Sequence, residues 1–185
     1  MKLTDIYKVH DGTYLHGYEL SYQIEPDRMK TYEIVSRNAS LRTPEDLGSQ
    51  VAGVSMVVFQ NDRLLLLQEF RMGINRTIYN LCAGMCEPGE SMEDCMKREL
   101  KEETGLDLTE IKVLLPPSYA AVAISDMQTQ IAIVEAAGTP TKQKQLHEDI
   151  IPKFYNREEV AELLRTQSFS SRAQIMAYFY VQHML

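Results

Sequence analysis

The segment from Gly84 to Leu106 constrains this chain most, because it sets a glycine- and proline-punctuated loop directly before a helix with acids on its apolar side. Ser91 opens that helix as an N-cap, Glu93 and Asp94 sit in its first turn, and Gly105 is the matching C′ residue. At about 100° per residue, Glu99 and Glu103 stand about 40° apart on one face. Met92 and Met96 point within roughly 60° of the same direction, whereas Lys97, Lys101 and Asp94 lie opposite and mark the solvent face. Two carboxylates are therefore aimed where apolar residues point. An unpaired buried carboxylate is costly, and like charges at i,i+4 repel, so something positive must sit beside them. A lysine or arginine meets that need, and so does a divalent metal ion.

The residues in front of the helix bear on that choice. Ala83-Gly84-Met85-Cys86-Glu87-Pro88-Gly89-Glu90 brings a glycine-rich loop into the helix N-terminus. Such a loop lets backbone carbonyls and amides approach an ion or a phosphate closely. Glu90 adds a carboxylate, and Glu102 is a third oxygen donor near the Glu99–Glu103 edge. Hard ions such as Mg²⁺ take one or two carboxylates together with water and substrate phosphate oxygens. Without the acids, the same punctuation reads as a plain strand–turn–helix connection.

Gly84, then Glu90 after five residues, then Arg98-Glu99-Leu100 after seven, then Glu102-Glu103 and Gly105-Leu106 match the signature of the Nudix hydrolases at every position. The resemblance implies an α/β fold (α+β), an α/β/α sandwich around a mixed sheet. It also implies Mg²⁺-assisted hydrolysis, with Mn²⁺ as the alternative ion, of a nucleoside diphosphate linked to another moiety. By analogy Glu99 and Glu103 are the principal metal ligands, Glu102 assists and the Ala83 carbonyl completes the site. Gly84 lies against the substrate, and Glu90 and Arg98 tie loop to helix as an ion pair. Metal ions neutralise the diphosphate, orient it and lower the pKa of attacking water.

The rest of the chain is consistent with one main domain and a small appendage. Of 185 residues, 44% are hydrophobic and 24% charged, the composition of an ordinary soluble globular protein. The net charge of −7 argues against a general nucleic-acid-binding role. No apolar run reaches the roughly 18 residues of a membrane span, and the first ten residues are too charged for a signal peptide. Cys82, Cys86 and Cys95 therefore read as reduced thiols of a cytoplasmic protein. A zinc site from Cys82 and Cys86 lacks histidine and further cysteine at suitable spacing.

Residues 1–45 form an N-terminal β unit in this reading, with strands over Tyr14–Ile24 and Thr31–Ser36 joined at Glu25–Arg28. A lone hairpin is marginal in water, so the unit packs on the main domain or on a second chain. Arg42–Asp46 is a linker. Residues 46–185 form the main domain, with strands Val51–Gln60 and Arg63–Phe70 about an Asn61-Asp62 turn. Further strands follow at Ile111–Leu115 and Gln130–Ala136, with a loop from Pro116 to Gln128 and closing helices over Glu158–Thr166 and Arg172–His183.

Outside the signature the chain resembles the ADP-ribose pyrophosphatase branch. Gln68-Glu69-Phe70-Arg71 is similar to that branch's strand ending, whose arginine contacts substrate, so Arg71 is a candidate binding residue. The N-terminal unit implies a homodimer, with Tyr18, Tyr22 and Tyr32 as a dimer surface, a base-stacking wall or simple packing. Two departures stand out. Asn80 replaces the branch's usual glutamate before the signature, and Met127 falls where a loop glutamate serves as base. The base is then Asp126 or a signature residue such as Glu102, unless the chain has none. The expected activity is cleavage of ADP-ribose or a related nucleoside diphosphate sugar to two monophosphates. The alternative is a nucleotide-sugar-binding module with little turnover.

Overall fold

The computed structural model describes residues 1–142 and 149–185. Along them run strands β1 (Lys2–Asp11), β2 (His16–Glu25), β3 (Arg28–Ser36), β4 (Val51–Gln60), β5 (Arg63–Arg71), β6 (Arg76–Asn80) and β7 (Cys82–Met85), then helix α1 (Met92–Thr104). Strands β8 (Asp107–Leu114), β9 (Ser118–Tyr119), β10 (Gln128–Ala137) and β11 (Ile150–Tyr155) follow, and helices α2 (Arg157–Thr166) and α3 (Ser171–Val181) close the chain. The backbone divides into two compact units: Met1–Ala52 with Pro117–Thr129, and Gly53–Pro116 with Gln130–Leu185.

In the first unit, β1, β2 and β3 make an antiparallel meander. The Pro26-Asp27 turn falls where the sequence places it, since Glu25 pairs with Arg28. Tyr18, Leu20, Ile34 and Leu41 form a small apolar core, with Tyr22 and Leu47 packed against it. Residues 117–129 join this unit through the β9–β10 pairing of Tyr119 with Gln128, the Ile124 carbonyl accepting from the Val35 N–H at 2.8 Å, and the Tyr32 hydroxyl donating to the Ala123 carbonyl at 2.7 Å. The loop expected over Pro116–Gln128 is thus interrupted by a short strand.

The second unit owes its layers to the period-2 alternation of its central strands. Val54, Met56 and Val58 of β4 and Leu65 and Leu67 of β5 face Cys95, Met96 and Leu100 of α1. The intervening residues, Val57, Phe59, Leu64 and Leu66, face Val160 of α2 and Ala173, Ala177 and Tyr180 of α3. The run Leu64–Leu67 is buried on both faces, as its unbroken apolarity predicts. Each such leucine contributes about 1.5–3 kcal/mol of transfer free energy. The sheet is ordered β11-β5-β4-β10-β8, with β6 on β5 and β7 on β4. It is a mixed sheet between helices, the α/β/α arrangement expected. Asn61 and Asp62 both take positive φ (50° and 58°), which sets the primed turn that suits a tight hairpin.

Five strands escape the sequence reading, the two-residue β9 inside the expected loop among them. β1 is an edge strand with little burial, so it has no apolar alternation to detect. β6 and β7 are short, and Gly84 inside β7 reads locally as punctuation. β11 is the sheet's other unmarked strand, interrupted by Pro152, which an edge position tolerates because no partner needs its missing N–H.

Candidate active site

α1 begins where Ser91 Oγ accepts from the Asp94 N–H at 3.1 Å. It ends at Gly105, whose φ of 76° suits glycine and whose N–H donates to the Lys101 carbonyl at 2.9 Å. Its buried stripe is Cys95, Met96, Leu100, Glu103 and Thr104, while Lys97 and Lys101 face solvent. Glu103 is therefore drawn inward by the same periodicity that packs the helix.

β7 lies against the middle of this helix. The Ala83 N–H donates to Glu103 Oε2 at 3.1 Å. At the next residue, a Cβ added to Gly84 would fall 1.8 Å from the Glu99 carboxyl carbon, so only glycine leaves room for that side chain. The strand and helix thus bring Ala83, Gly84, Glu99 and Glu103 together.

Glu103 is 8% exposed. Burial pushes its carboxyl up to about 8, and the charges of Glu99 and Glu69 push the same way, against hydrogen bonds from the Cys82 thiol and the Ala83 N–H. None of the largest influences on this carboxyl is a cation.

Arg98 organises the outer side. Its Nε and Nη2 donate to the two Glu90 oxygens at 2.9 Å each, and Nη2 also reaches the Met85 carbonyl at 2.9 Å. Nη1 donates to Glu99 at 2.9 Å and to Glu102 at 3.2 Å. The Arg98 bonds, followed by the Glu87 N–H, hold the Glu90 carboxyl down at about 2. The ion pair expected between Glu90 and Arg98 is present, and it fixes the loop on the helix. Glu102 keeps its side chain half exposed.

Sequence reasoning gave Glu69 no role. It is buried at the end of β5, where it pairs with Arg71 and accepts from Asn80 Nδ2 at 2.9 Å. Asn80 Oδ1 in turn accepts from the Ser170 hydroxyl at 2.7 Å and the Leu81 N–H at 3.0 Å. Asn80 is thereby a neutral bridge, and the carboxylate in this corner belongs to β5. A glutamate two residues after four buried leucines was the available signal, since a charge at the end of so apolar a strand needs a partner. Arg71 stays more than half exposed, with its guanidinium tethered at one edge by Glu69.

Asp126 belongs to the first unit, where its carboxylate accepts from the Gly48 N–H at 3.2 Å. It lines an apolar cavity of about 220 Å³ with Tyr22, Tyr32, Tyr119, Leu47 and Val122. Tyr18 is core, its hydroxyl donating to the Asn38 carbonyl at 2.8 Å.

The donors in the second unit suit a hard divalent ion. They are all oxygen, and Glu103 is a buried acid among other acids beside a glycine. A cation there would supply the positive charge that the burial of Glu103 calls for.

Three layers, with an acidic helix docked on a glycine-bearing strand, define a Nudix-type domain. The NUDIX domain family model matches residues 49–179, and the chain belongs to the Nudix family. Among its relatives, the ADP compounds hydrolase NudE of Escherichia coli (strain K12) is 39% identical over 70 residues, 36% of this chain and 38% of that protein. The ADP-ribose pyrophosphatase of Bacillus subtilis (strain 168) is 27% identical over 94 residues, 51% of this chain and 50% of that one. The NAD-capped RNA hydrolase NudC of Stutzerimonas stutzeri (strain A1501) is 39% identical over 66 residues, 36% of this chain and 21% of that one. The chain thus spans between about a fifth and a half of the length of these relatives. A crystal structure of an ADP compounds hydrolase superposes with a TM-score of 0.73 at 17% identity, over 99% of this chain and 94% of that one, a likeness of fold. Among the described residues no helix is long and apolar enough to cross a membrane.

Proposed function

We propose that this chain hydrolyses the diphosphate of ADP-ribose or a related nucleoside diphosphate sugar to two monophosphates, with Mg²⁺ as its cofactor and Mn²⁺ as a substitute. The gathering of Glu69, Glu99 and Glu103 about a strand kept bare by Gly84 supports this reading most directly. Glu99 and Glu103 are the principal ligands, Glu102 assists, and the Ala83 carbonyl completes the set. The ion supplies charge neutralisation and a more acidic water. The chain's own groups do the positioning: the Glu90–Arg98 pair holds the loop, and Gly84 lets the diphosphate approach the backbone. Arg71, steadied by Glu69, binds the diphosphate or ribose. Glu102 is the candidate within this unit for accepting the water's proton.

ADP-containing substrates fit the printed names of two relatives, an ADP compounds hydrolase and an ADP-ribose pyrophosphatase. The chain acts as a homodimer in this proposal, through the β unit of residues 1–45. Its edge strand β1 exposes Tyr7 and Val9. A cytoplasmic location fits its three free cysteines.

The test is an assay of purified protein for AMP release from ADP-ribose with and without Mg²⁺, with UDP-sugars, GDP-sugars and NAD-capped RNA alongside. Metal-dependent release of AMP is expected. Tight binding of ADP-ribose with no release from any of them would replace the enzyme with a binding module, the reading for which Asn80 and Met127 leave room. In the same preparation, light scattering should return twice the 21.2 kDa chain mass.

A further inference from the structure

Two of the three thiols come together outside the acidic site. Cys86 Sγ, Cys95 Sγ and a Glu90 carboxylate oxygen all lie within 4.8 Å of one another. Cys86 sits half-buried just beyond β7, and Cys95 is fully buried in the first turns of α1. Cys82 is set apart, buried and hydrogen-bonded to Glu103.

We propose that Cys86 and Cys95 are a redox pair that closes to an intramolecular disulfide on exposure to a hydroperoxide. The accessible thiol reacts first: Cys86–SH and H₂O₂ give Cys86–SOH and water, the sulfur being oxidised and the peroxide oxygen reduced. Cys95–SH then displaces hydroxide from that sulfenic acid, and the S–S bond forms as a second water leaves with the Cys95 proton. Two thiols and one peroxide yield one disulfide and two waters. The buried partner is protected from peroxide and serves only to resolve.

The loop between the two residues can supply the closing movement. Sulfur atoms must approach to about 2.05 Å. Glu87, Pro88 and Gly89 are exposed, and Gly89 has φ of 82° with no atom within 4 Å of where a Cβ would stand. Cys86 is held by a thiol contact to Met92 Sδ at 3.9 Å and by a hydrogen bond with the Cys95 thiol, contacts weak enough to exchange. A soft metal is the rival occupant of this cluster. It would need Glu90, but both Glu90 oxygens are engaged by the Arg98 fork. Two sulfurs alone fall short of a four-ligand zinc site.

The test uses the full chain treated with hydrogen peroxide, blocked with N-ethylmaleimide and mapped by peptide mass spectrometry. Expected is a Cys86–Cys95 linked peptide pair, two hydrogens lighter than the free thiols and reopened by dithiothreitol, with Cys82 still reduced. Cys95→Ser should leave Cys86 as a sulfenic acid that dimedone traps, and Cys86→Ser should lose oxidation at Cys95. Dimers linked through Cys86, direct overoxidation of wild-type Cys86 to sulfinic acid, or one zinc per chain shielding both thiols would each overturn the proposal. None of these readouts depends on hydrolysis.

Discussion

The carboxyl group of Glu99 lies directly over Gly84, so close that a single methyl group there would come to 1.8 Å from its carbon. A residue that looks like loop punctuation is in fact the floor on which an acidic side chain rests. The neighbouring Ala83 N–H holds Glu103 from the same strand.

Gly84→Ala should therefore displace Glu99 while leaving the sheet intact. A loss of about 10- to 100-fold in metal affinity or turnover is expected, the usual cost of disturbing what orients a ligand. Calorimetric titration with Mn²⁺ and steady-state kinetics measure it. A variant with wild-type values for both would remove Gly84 from the site.

Glu103→Gln should abolish turnover yet fold. Divalent ions should raise the melting temperature of the wild type, since binding at about 100 times Kd adds about 2.7 kcal/mol to the folded state. Glu103→Gln should lose most of that rise. Equal thermal shifts in the two proteins would place the ion elsewhere.

Arg71→Ala should raise KM for ADP-ribose more than it lowers kcat, because the guanidinium is exposed and held at one edge by Glu69. Glu69→Gln should weaken the same effect less, since Asn80 and Arg71 keep a polar partner. An unchanged KM in Arg71→Ala would assign the arginine to the surface.

Away from the site, Arg157 joins the β4–β5 turn to the closing helices. It pairs with both Asp62 oxygens, donates to the Tyr180 carbonyl at 3.1 Å and stacks 4.6 Å over that ring. Its hydrogen bonds lower the Asp62 pKa below the ordinary carboxylate value. A group depressed in the folded state stabilises above its unfolded pKa, and that contribution is lost as pH falls through the folded value. Asp62→Asn should thus lower the melting temperature near neutral pH and converge on the wild type in acid. A constant gap across the acid range would contradict this.

Much of the architecture was legible along the chain. The unbroken Leu64–Leu67 run announced a strand buried on both faces, and Ser91 and Gly105 bounded α1 where they stand in the structure. β1, β6, β7, β9 and β11 were not legible, because each is short, glycine-bearing, edge-exposed or interrupted by proline and so lacks a periodic pattern. The pairing of Glu90 with Arg98 was expected from the family resemblance of the segment, and it is present. The corner of Glu69, Arg71 and Asn80 was not.

By itself, then, the sequence determined the family, the acidic helix and which of its faces turns inward, since all three depend on spacing within one short segment. Only the tertiary structure decided that Glu69 of β5 adds its charge near Glu103, that Asn80 neutralises rather than extends that corner, and that Cys86 and Cys95 meet while Cys82 does not. Those relationships join different strands and a helix. They arise from how the sheet orders its strands and how the core seats α1, which no periodicity along a single element records.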